Sequence, residues 1–199
     1  MITLCMDTSH IFLALALIKD DEVIASYQEK CWKKQSEEIF PEIINLCEKV
    51  NLTSDDIDQI VISKGPGSYT GVRIAMTIAK VFCAMRDLPI YTIGTLQLYA
   101  GLKICRVVTD ARGKRVYTNV FANGFPIQEE EAVYIEDLLP KLNGEEIVGD
   151  GSLLGMEDNW PNIAQNFLLL KDKWVKATSV HLVVPDYLKP ASSYLPNHK

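Results

Sequence analysis

The sequence lacks both the residue spacings that bind metal ions and the long apolar runs that cross membranes. Its five cysteines include no Cys-x-x-Cys pair, and its three histidines, His10, His181 and His198, include no pair at ligand spacing. No apolar stretch reaches the length of a transmembrane helix, and Asp7 interrupts the first one too early for a signal peptide. We therefore predict no metal and no membrane contact, and a cytoplasmic location in which scattered thiols stay reduced.

Patterns of known catalytic machinery are also missing. Ser68 does not lie in a Gly-x-Ser-x-Gly motif, which hydrolases use to present a nucleophilic serine. The glycines near it are not followed by the Gly-Lys-Ser/Thr triplet of a P-loop. No nucleophile can be paired with a base, which disfavours a peptidase. We predict no catalytic residue.

Positive charge is scarce as well. The chain carries 20 basic and 26 acidic side chains, a net charge of −6. This balance argues against the chain as the main nucleic-acid-binding subunit, since the phosphate backbone favours a basic surface. Any contact with RNA would be local or would come through a partner.

The sequence does contain enough apolar residues for a core, 48% of 199. Apolar runs predict strands over 2–6, 11–18 and 22–30 as an antiparallel meander, followed by strands over 57–63 and 90–93. Helical spacing predicts a helix that Ser36 caps, a second over 72–85, and a third over 95–102 that Thr95 caps. Pro41 fits the first of these only within the first turn.

The pattern begins again near residue 104, with strands over 104–109 and 115–122 around a polar turn. A short helix over 136–142 and a strand over 146–148 follow, and the signals fade after residue 155. We predict an α/β protein with two related lobes, residues 1–102 and a small, trimmed 103–199.

The most informative loop contains Gly65, Gly67, Ser68 and Gly71, between a predicted strand and a predicted helix. Backbone N–H groups at such a helix start can hold a phosphate, but glycines there can equally serve close packing. A dinucleotide fingerprint is disfavoured because Thr70 replaces its third glycine.

Two polar turns leave the same alternatives open. Asp7, Thr8 and Ser9 could hold a phosphate and its Mg²⁺, or could simply form a hairpin turn. The basic turn from Asp110 to Arg115 could touch phosphate or be a solvated hairpin.

The second helix has more apolar surface than one buried face requires. One stripe contains Val72, Ala75, Met76, Ala79, Phe82 and Cys83, and another contains Ile74, Ile78, Val81 and Met85. Either the helix is buried on both sides, or one stripe is left for another chain. We predict a partner surface on the first two helices, formed by Ile39, Ile43, Ala75, Ile78, Ala79, Val81 and Phe82.

Several segments, in order, resemble the bacterial TsaB (YeaZ) family. They are Met6-Asp7-Thr8-Ser9, Lys34-Gln35-Ser36-Glu37, Gly65-Pro66-Gly67-Ser68-Tyr69-Thr70-Gly71-Val72-Arg73-Ile74, Asp110-Ala111-Arg112 with Val116-Tyr117, and Gly149-Asp150-Gly151. The third segment is highly specific, and the likeness covers about the first 150 residues.

The resemblance implies the actin/Hsp70-like two-lobed fold, with mixed sheets flanked by helices. It implies a non-catalytic scaffold that pairs with TsaD, and with TsaE through the complex, to place threonylcarbamoyl on N6 of adenosine 37 in tRNAs reading codons that begin with A. It also implies an indirect contact with tRNA and a homodimer when alone. No bound cofactor is predicted, and Asp7, Thr8, Ser9, Gly65, Gly67 and Ser68 are interpreted as vestigial phosphate loops.

The sequence departs from the family pattern at Gln35, where histidine is frequent, and in its short second lobe. The rival function is an active ATP-dependent kinase or ATPase of the same superfamily. That activity would need a second phosphate loop after Asp110, but Ala111 and bulky Arg112 follow instead.

Overall fold

The structure, a computed structural model, describes residues 1–31 and 33–188. A mixed six-stranded sheet has the order β11-β5-β4-β1-β2-β3. Its strands are β1 (Ile2–Asp7), β2 (Phe12–Lys19), β3 (Glu22–Lys30), β4 (Gln59–Ser63), β5 (Ile90–Ile93) and β11 (Val175–Lys176). The first three form the predicted antiparallel meander, and β4 and β5 run parallel to β1.

Both faces of this sheet are covered, so its central strands are apolar throughout rather than alternating. On β1, Leu4 and Met6 face two helices, α1 (Gln35–Lys49) and α2 (Tyr69–Arg86). Cys5 faces the opposite way, toward α3 (Thr95–Ala100) and α5 (Ile163–Leu169).

A second sheet has the order β10-β6-β7-β8, with β9 also paired to β7. Its strands are β6 (Cys105–Arg112), β7 (Arg115–Ala122), β8 (Phe125–Pro126), β9 (Glu131–Tyr134) and β10 (Ile147–Gly149). One face joins the core beneath the first sheet, where Val107, Tyr117 and Phe121 are buried. The outer face packs against α4 (Ile135–Leu138) and two 3₁₀ turns, Leu139–Lys141 and Gly151–Leu154.

The end of the described chain returns to the first sheet. β11 pairs with β5, the backbone N–H of Asp186 donates to the carbonyl of Lys64 at 2.7 Å, and the Lys80 Nζ donates to the carbonyl of Val183 at 3.0 Å. Part of residues 103–188 therefore packs against the first sheet and α2. The division after residue 102 stays a prediction.

The predicted helix caps are wrong at two starts. α1 begins at Gln35, so Ser36 lies inside it and Pro41 lies beyond its first turn. Because Pro41 has no backbone N–H, the carbonyl of Glu37 receives no helical hydrogen bond. Both residues are exposed, so water can donate to that oxygen instead. Gly94, not Thr95, caps α3.

The N-terminus of α2 is capped by Ser68, whose Oγ accepts a hydrogen bond from the backbone N–H of Gly71 at 3.3 Å. This moves the helix start to Tyr69 from the predicted residue 72. No helix in the described part of the chain is long and apolar enough to span a bilayer.

Candidate functional site

Asp7 ends β1 with its carboxylate completely buried and surrounded by protein donors. Its Oδ1 accepts from the backbone N–H of Ser9 at 3.1 Å, from the Ser9 hydroxyl at 2.6 Å and from the Ser63 hydroxyl. Its Oδ2 accepts from the Tyr99 hydroxyl at 3.2 Å. Burial and the neighbouring Asp7 raise the pKa of Tyr99 well above its usual value, so this hydroxyl keeps its proton and donates.

Thr8 joins the same turn to the glycine loop. Its hydroxyl donates to the carbonyl of Gly71 at 2.6 Å and accepts from the backbone N–H of Ala75 at 3.1 Å. The backbone N–H of Ser68 donates to the carbonyl of Ser9 at 2.7 Å. The two loops named as vestigial phosphate loops are thus brought together, and they are hydrogen-bonded to each other.

The glycines permit this contact. A Cβ at Gly67 would collide with the carbonyl oxygen of Ser9, and a Cβ at Gly71 would collide with that of Thr8. Of the two alternatives for the loop, its glycines serve close backbone packing here. Two backbone N–H groups of the loop, those of Ser68 and Gly71, are engaged by the Ser9 carbonyl and the Ser68 hydroxyl and so do not face a phosphate.

A second cluster crosses from the first sheet to the second. His10 Nε2 lies 2.8 Å from Asp150 Oδ2, an ion-pair distance without the alignment of a hydrogen bond. The same carboxylate oxygen accepts from the backbone N–H of Asp110 at 2.7 Å. The rings of Tyr99 and Trp160 lie 6.4 and 5.5 Å from that of His10. The His10 side chain therefore ties the two sheets together where they meet.

Gln35, the departure from the family pattern, is buried, and its Nε2 donates to the carbonyl of His10 at 2.9 Å. It therefore positions the backbone of the residue that reaches Asp150. A neutral amide serves this purpose without a titratable group.

The turn after β6 is a hairpin in which the Asp110 side chain is used locally. Asp110 Oδ1 accepts from the backbone N–H of Arg112 at 2.7 Å, and Oδ2 lies 3.5 Å from Nη1 of the same arginine. Arg112, Gly113 and Lys114 all have positive φ, at 63°, 64° and 60°. The hairpin alternative accounts for this turn.

Between these loops lies a cavity of about 280 Å³, lined by residues that include Lys33, Gln35, Ser68, Thr70 and Arg112. Its volume is just below the roughly 300–1,000 Å³ typical of pockets that enclose drug-sized ligands. Among the described residues, no group of three or more histidine, cysteine, aspartate or glutamate side chains could hold a metal ion.

The predicted partner surface is partly wrong. Ile39, Ala75 and Ala79 are fully buried against the first sheet, because the small alanines allow α2 to approach it closely. Val81 is exposed, and the partly buried residues of the prediction are Ile43, Ile78 and Phe82.

Exposed apolar residues that the prediction missed adjoin these four. Phe40 and Ile44 are each 56% exposed on α1, and Met85 is 80% exposed on α2. Together with the partly buried Ile74 they extend the apolar set over both helices, which contact each other. We call it the α1–α2 face, consisting of Phe40, Ile43, Ile44, Ile74, Ile78, Val81, Phe82 and Met85. Met85 carried a signal, since it lies in the second apolar stripe of α2, opposite the buried one.

Comparison with known proteins identifies the chain's relatives. The tRNA threonylcarbamoyladenosine biosynthesis protein TsaB of Bacillus subtilis is 30% identical over 97% of this chain and 96% of its own length. The chain belongs to the TsaB family. The Escherichia coli TsaB is 28% identical over 92% of this chain and 84% of its own. A family model described as "TsaD: tRNA N6-adenosine threonylcarbamoyltransferase" matches residues 21–141.

A solved structure, YeaZ from Pseudomonas aeruginosa, superposes with a TM-score of 0.74 at 20% identity. It covers 94% of this chain and 99% of that one. Another, described as an uncharacterized protein with similarity to peptidase YEAZ, gives a TM-score of 0.76 at 19% identity over the same shares. The predicted fold class, mixed sheets flanked by helices as in the TsaB (YeaZ) family, is confirmed.

Asp7→Asn is expected to destabilise the protein by about 3 kcal/mol in urea unfolding, because an amide N–H₂ would face hydroxyl donors in a buried site. Asp21→Asn, at a side chain that is 88% exposed, is the matched control and should change stability by less than about 1 kcal/mol. Equal losses in the two variants would show that the buried hydrogen bonds of Asp7 do not stabilise the site.

Proposed function

We propose that the chain is a non-catalytic subunit of the complex that makes threonylcarbamoyladenosine in tRNA. In this proposal it pairs with a TsaD homologue through the α1–α2 face, and meets TsaE and tRNA through the complex. Without TsaD the same face would join two copies of the chain. A role in tRNA modification supports a cytoplasmic location.

The observation that carries the proposal is the α1–α2 face itself. Val81 lies at the centre of the exposed side of α2, directly opposite Ala79 on the buried side, and is 54% exposed. Phe40, Ile44 and Met85 extend the apolar surface over both helices. Two adjacent helices with a common apolar surface fit a partner that presents helices of its own. The membership of the chain in the TsaB family, and the TsaD family model that matches residues 21–141, support a TsaD homologue as that partner.

The two loops support the absence of catalysis. Both oxygens of Asp7 accept hydrogen bonds from protein groups, so the carboxylate has little capacity left for a metal-bound phosphate. The glycine loop directs the N–H of Ser68 at the carbonyl of Ser9. The chain therefore contributes surface to the complex, while the transfer chemistry resides in TsaD.

A charge placed on this face tests the proposal. Val81→Glu should raise the dissociation constant for the TsaD homologue of the same cell by at least about 100-fold in calorimetry, because the carboxylate would be desolvated without a partner. The unfolding midpoint of the isolated chain should stay unchanged at a concentration at which the unmodified chain is monomeric, since position 81 then faces solvent.

Ile104→Glu is the matched control, with an apolar residue that is 70% exposed outside the α1–α2 face. It should bind TsaD as the unmodified chain does. Unchanged binding of Val81→Glu, with the fold intact, would refute pairing through this face. Failure of the unmodified chain to bind TsaD at all would refute the proposed function.

A further inference from the structure

The outer face of the second sheet bears a cavity of about 670 Å³, within the range of small-molecule sites. It opens between that sheet and the segment around α4, far from the α1–α2 face. Arg106 on β6 and Thr118 on β7 line it and lie on the same side of the sheet, since Val108 pairs with Thr118 and side chains alternate along each strand. Leu138 of α4 provides an apolar wall.

Thr118 is the feature that points to a ligand. The residue is 3% exposed, and its Oγ1 is buried with no hydrogen-bond partner among the described residues. Buried hydroxyls are nearly always satisfied, so an unpaired one at the wall of a cavity marks a position for a bound polar group.

Arg106 gives the inner part of the cavity its charge. It is 8% exposed, and its Nε donates to Glu145 Oε1 at 2.6 Å. Within the described part of the chain its two terminal nitrogens have no hydrogen-bond partner, so they remain donors toward the cavity. Two guanidinium N–H donors side by side, next to a hydroxyl, are suited to bind a carboxylate.

The rim carries both signs of charge. Exposed Lys141 adds a cation, while exposed Glu129 and Glu131 add two carboxylates. A simple anion would be repelled by those two carboxylates. A ligand that carries a carboxylate and an ammonium group matches the charge of the inner part of the cavity and that of the rim.

We propose that this cavity binds a small zwitterion, with its carboxylate on Arg106 and Thr118 and its ammonium group between Glu129 and Glu131. The site is independent of the TsaD surface, so the two proposals can fail separately.

A series of ω-amino acids from glycine to 6-aminohexanoate tests the chemistry by calorimetry on the full chain. Each is compared with the carboxylic acid and the amine of the same chain length. At least one amino acid should bind with a dissociation constant at least about tenfold below those of its two matched compounds. No heat of binding at about 10 mM for the whole series, or equal affinity for the plain acids, would overturn the proposal.

Two variants locate the binding. Thr118→Val should weaken it about tenfold while keeping or raising the unfolding midpoint, because it removes an unpaired buried hydroxyl. Lys141→Gln, at an exposed position, should weaken it with the fold unchanged, because the rim cation attracts the ligand's carboxylate. Lys19→Gln, exposed at the end of β2, is the control. Unaltered binding in both Thr118→Val and Lys141→Gln would overturn the site, and if the first fails to fold, the second decides.

Discussion

Ala79→Glu is expected to unfold the isolated chain rather than release a partner from a folded one. Ala79 has no exposed surface, and it packs in the cluster that joins α1 and α2 to the first sheet. A carboxylate there would lose its hydration without a cation to pair with, and its extra atoms would force α2 away from β4. We expect a loss of about 5 kcal/mol or more, comparable with the whole stability of a domain of this size.

Circular dichroism during heating provides the measurement. Ala79→Glu should show no cooperative transition, or one shifted far below that of the unmodified chain. Val81→Glu introduces the same charge two residues later, on the exposed side of the same helix, and should melt as the unmodified chain does when both are monomeric. Normal melting of Ala79→Glu would mean that Ala79 is not buried between α2 and the first sheet.

The two stripes of α2 show why sequence alone could not assign its faces. Both stripes are apolar at helical spacing, so the pattern does not say which of them packs on the sheet. The sheet makes the choice. Leu13, Leu15 and Leu17 of β2 fill the space beneath the helices, and small residues such as Ala75 and Ala79 fit against such a surface.

Strong local signals were sufficient elsewhere. The meander of β1, β2 and β3 was predicted to within one residue at each end, because long apolar runs and a polar Asp20-Asp21 turn are local signals. β11 was missed because a strand of two residues is too short to show a pattern of alternating apolar and polar residues. It forms by pairing with β5 at the edge of the sheet. α5 was missed because signals after residue 155 are weak, although Asn162 caps it by accepting from the N–H of Gln165 at 3.0 Å.

The candidate site divides in the same way. The Asp7–Ser9 turn and the glycine loop are legible as motifs, but their mutual hydrogen bonds depend on strand order in three dimensions. The pairing of His10 with Asp150 joins residues that are distant in the chain, and no local pattern announces it.

Gly71→Ala is a case in which local propensity and tertiary packing predict opposite signs. Gly71 lies in the first turn of α2, and replacement of a helical glycine by alanine ordinarily stabilises by up to about 1 kcal/mol. Here the new Cβ would collide with the carbonyl oxygen of Thr8, a backbone atom that cannot turn away. Any displacement of Thr8 would also lengthen its hydroxyl's bonds to the Gly71 carbonyl and the Ala75 N–H.

We therefore expect Gly71→Ala to lose about 4 kcal/mol in urea unfolding, the order of a severe core mutation. Gly94→Ala is the matched control, because its Cβ would meet nothing nearer than 3.6 Å, and it should cost less than about 1 kcal/mol. A gain in stability for Gly71→Ala would show that helix propensity outweighs the contact, and that the Thr8 turn and the glycine loop are not held against each other. A loss in Gly71→Ala with little change in Gly94→Ala would instead establish that the close backbone approach between the two loops, and not glycine content in general, determines the stability of this part of the chain.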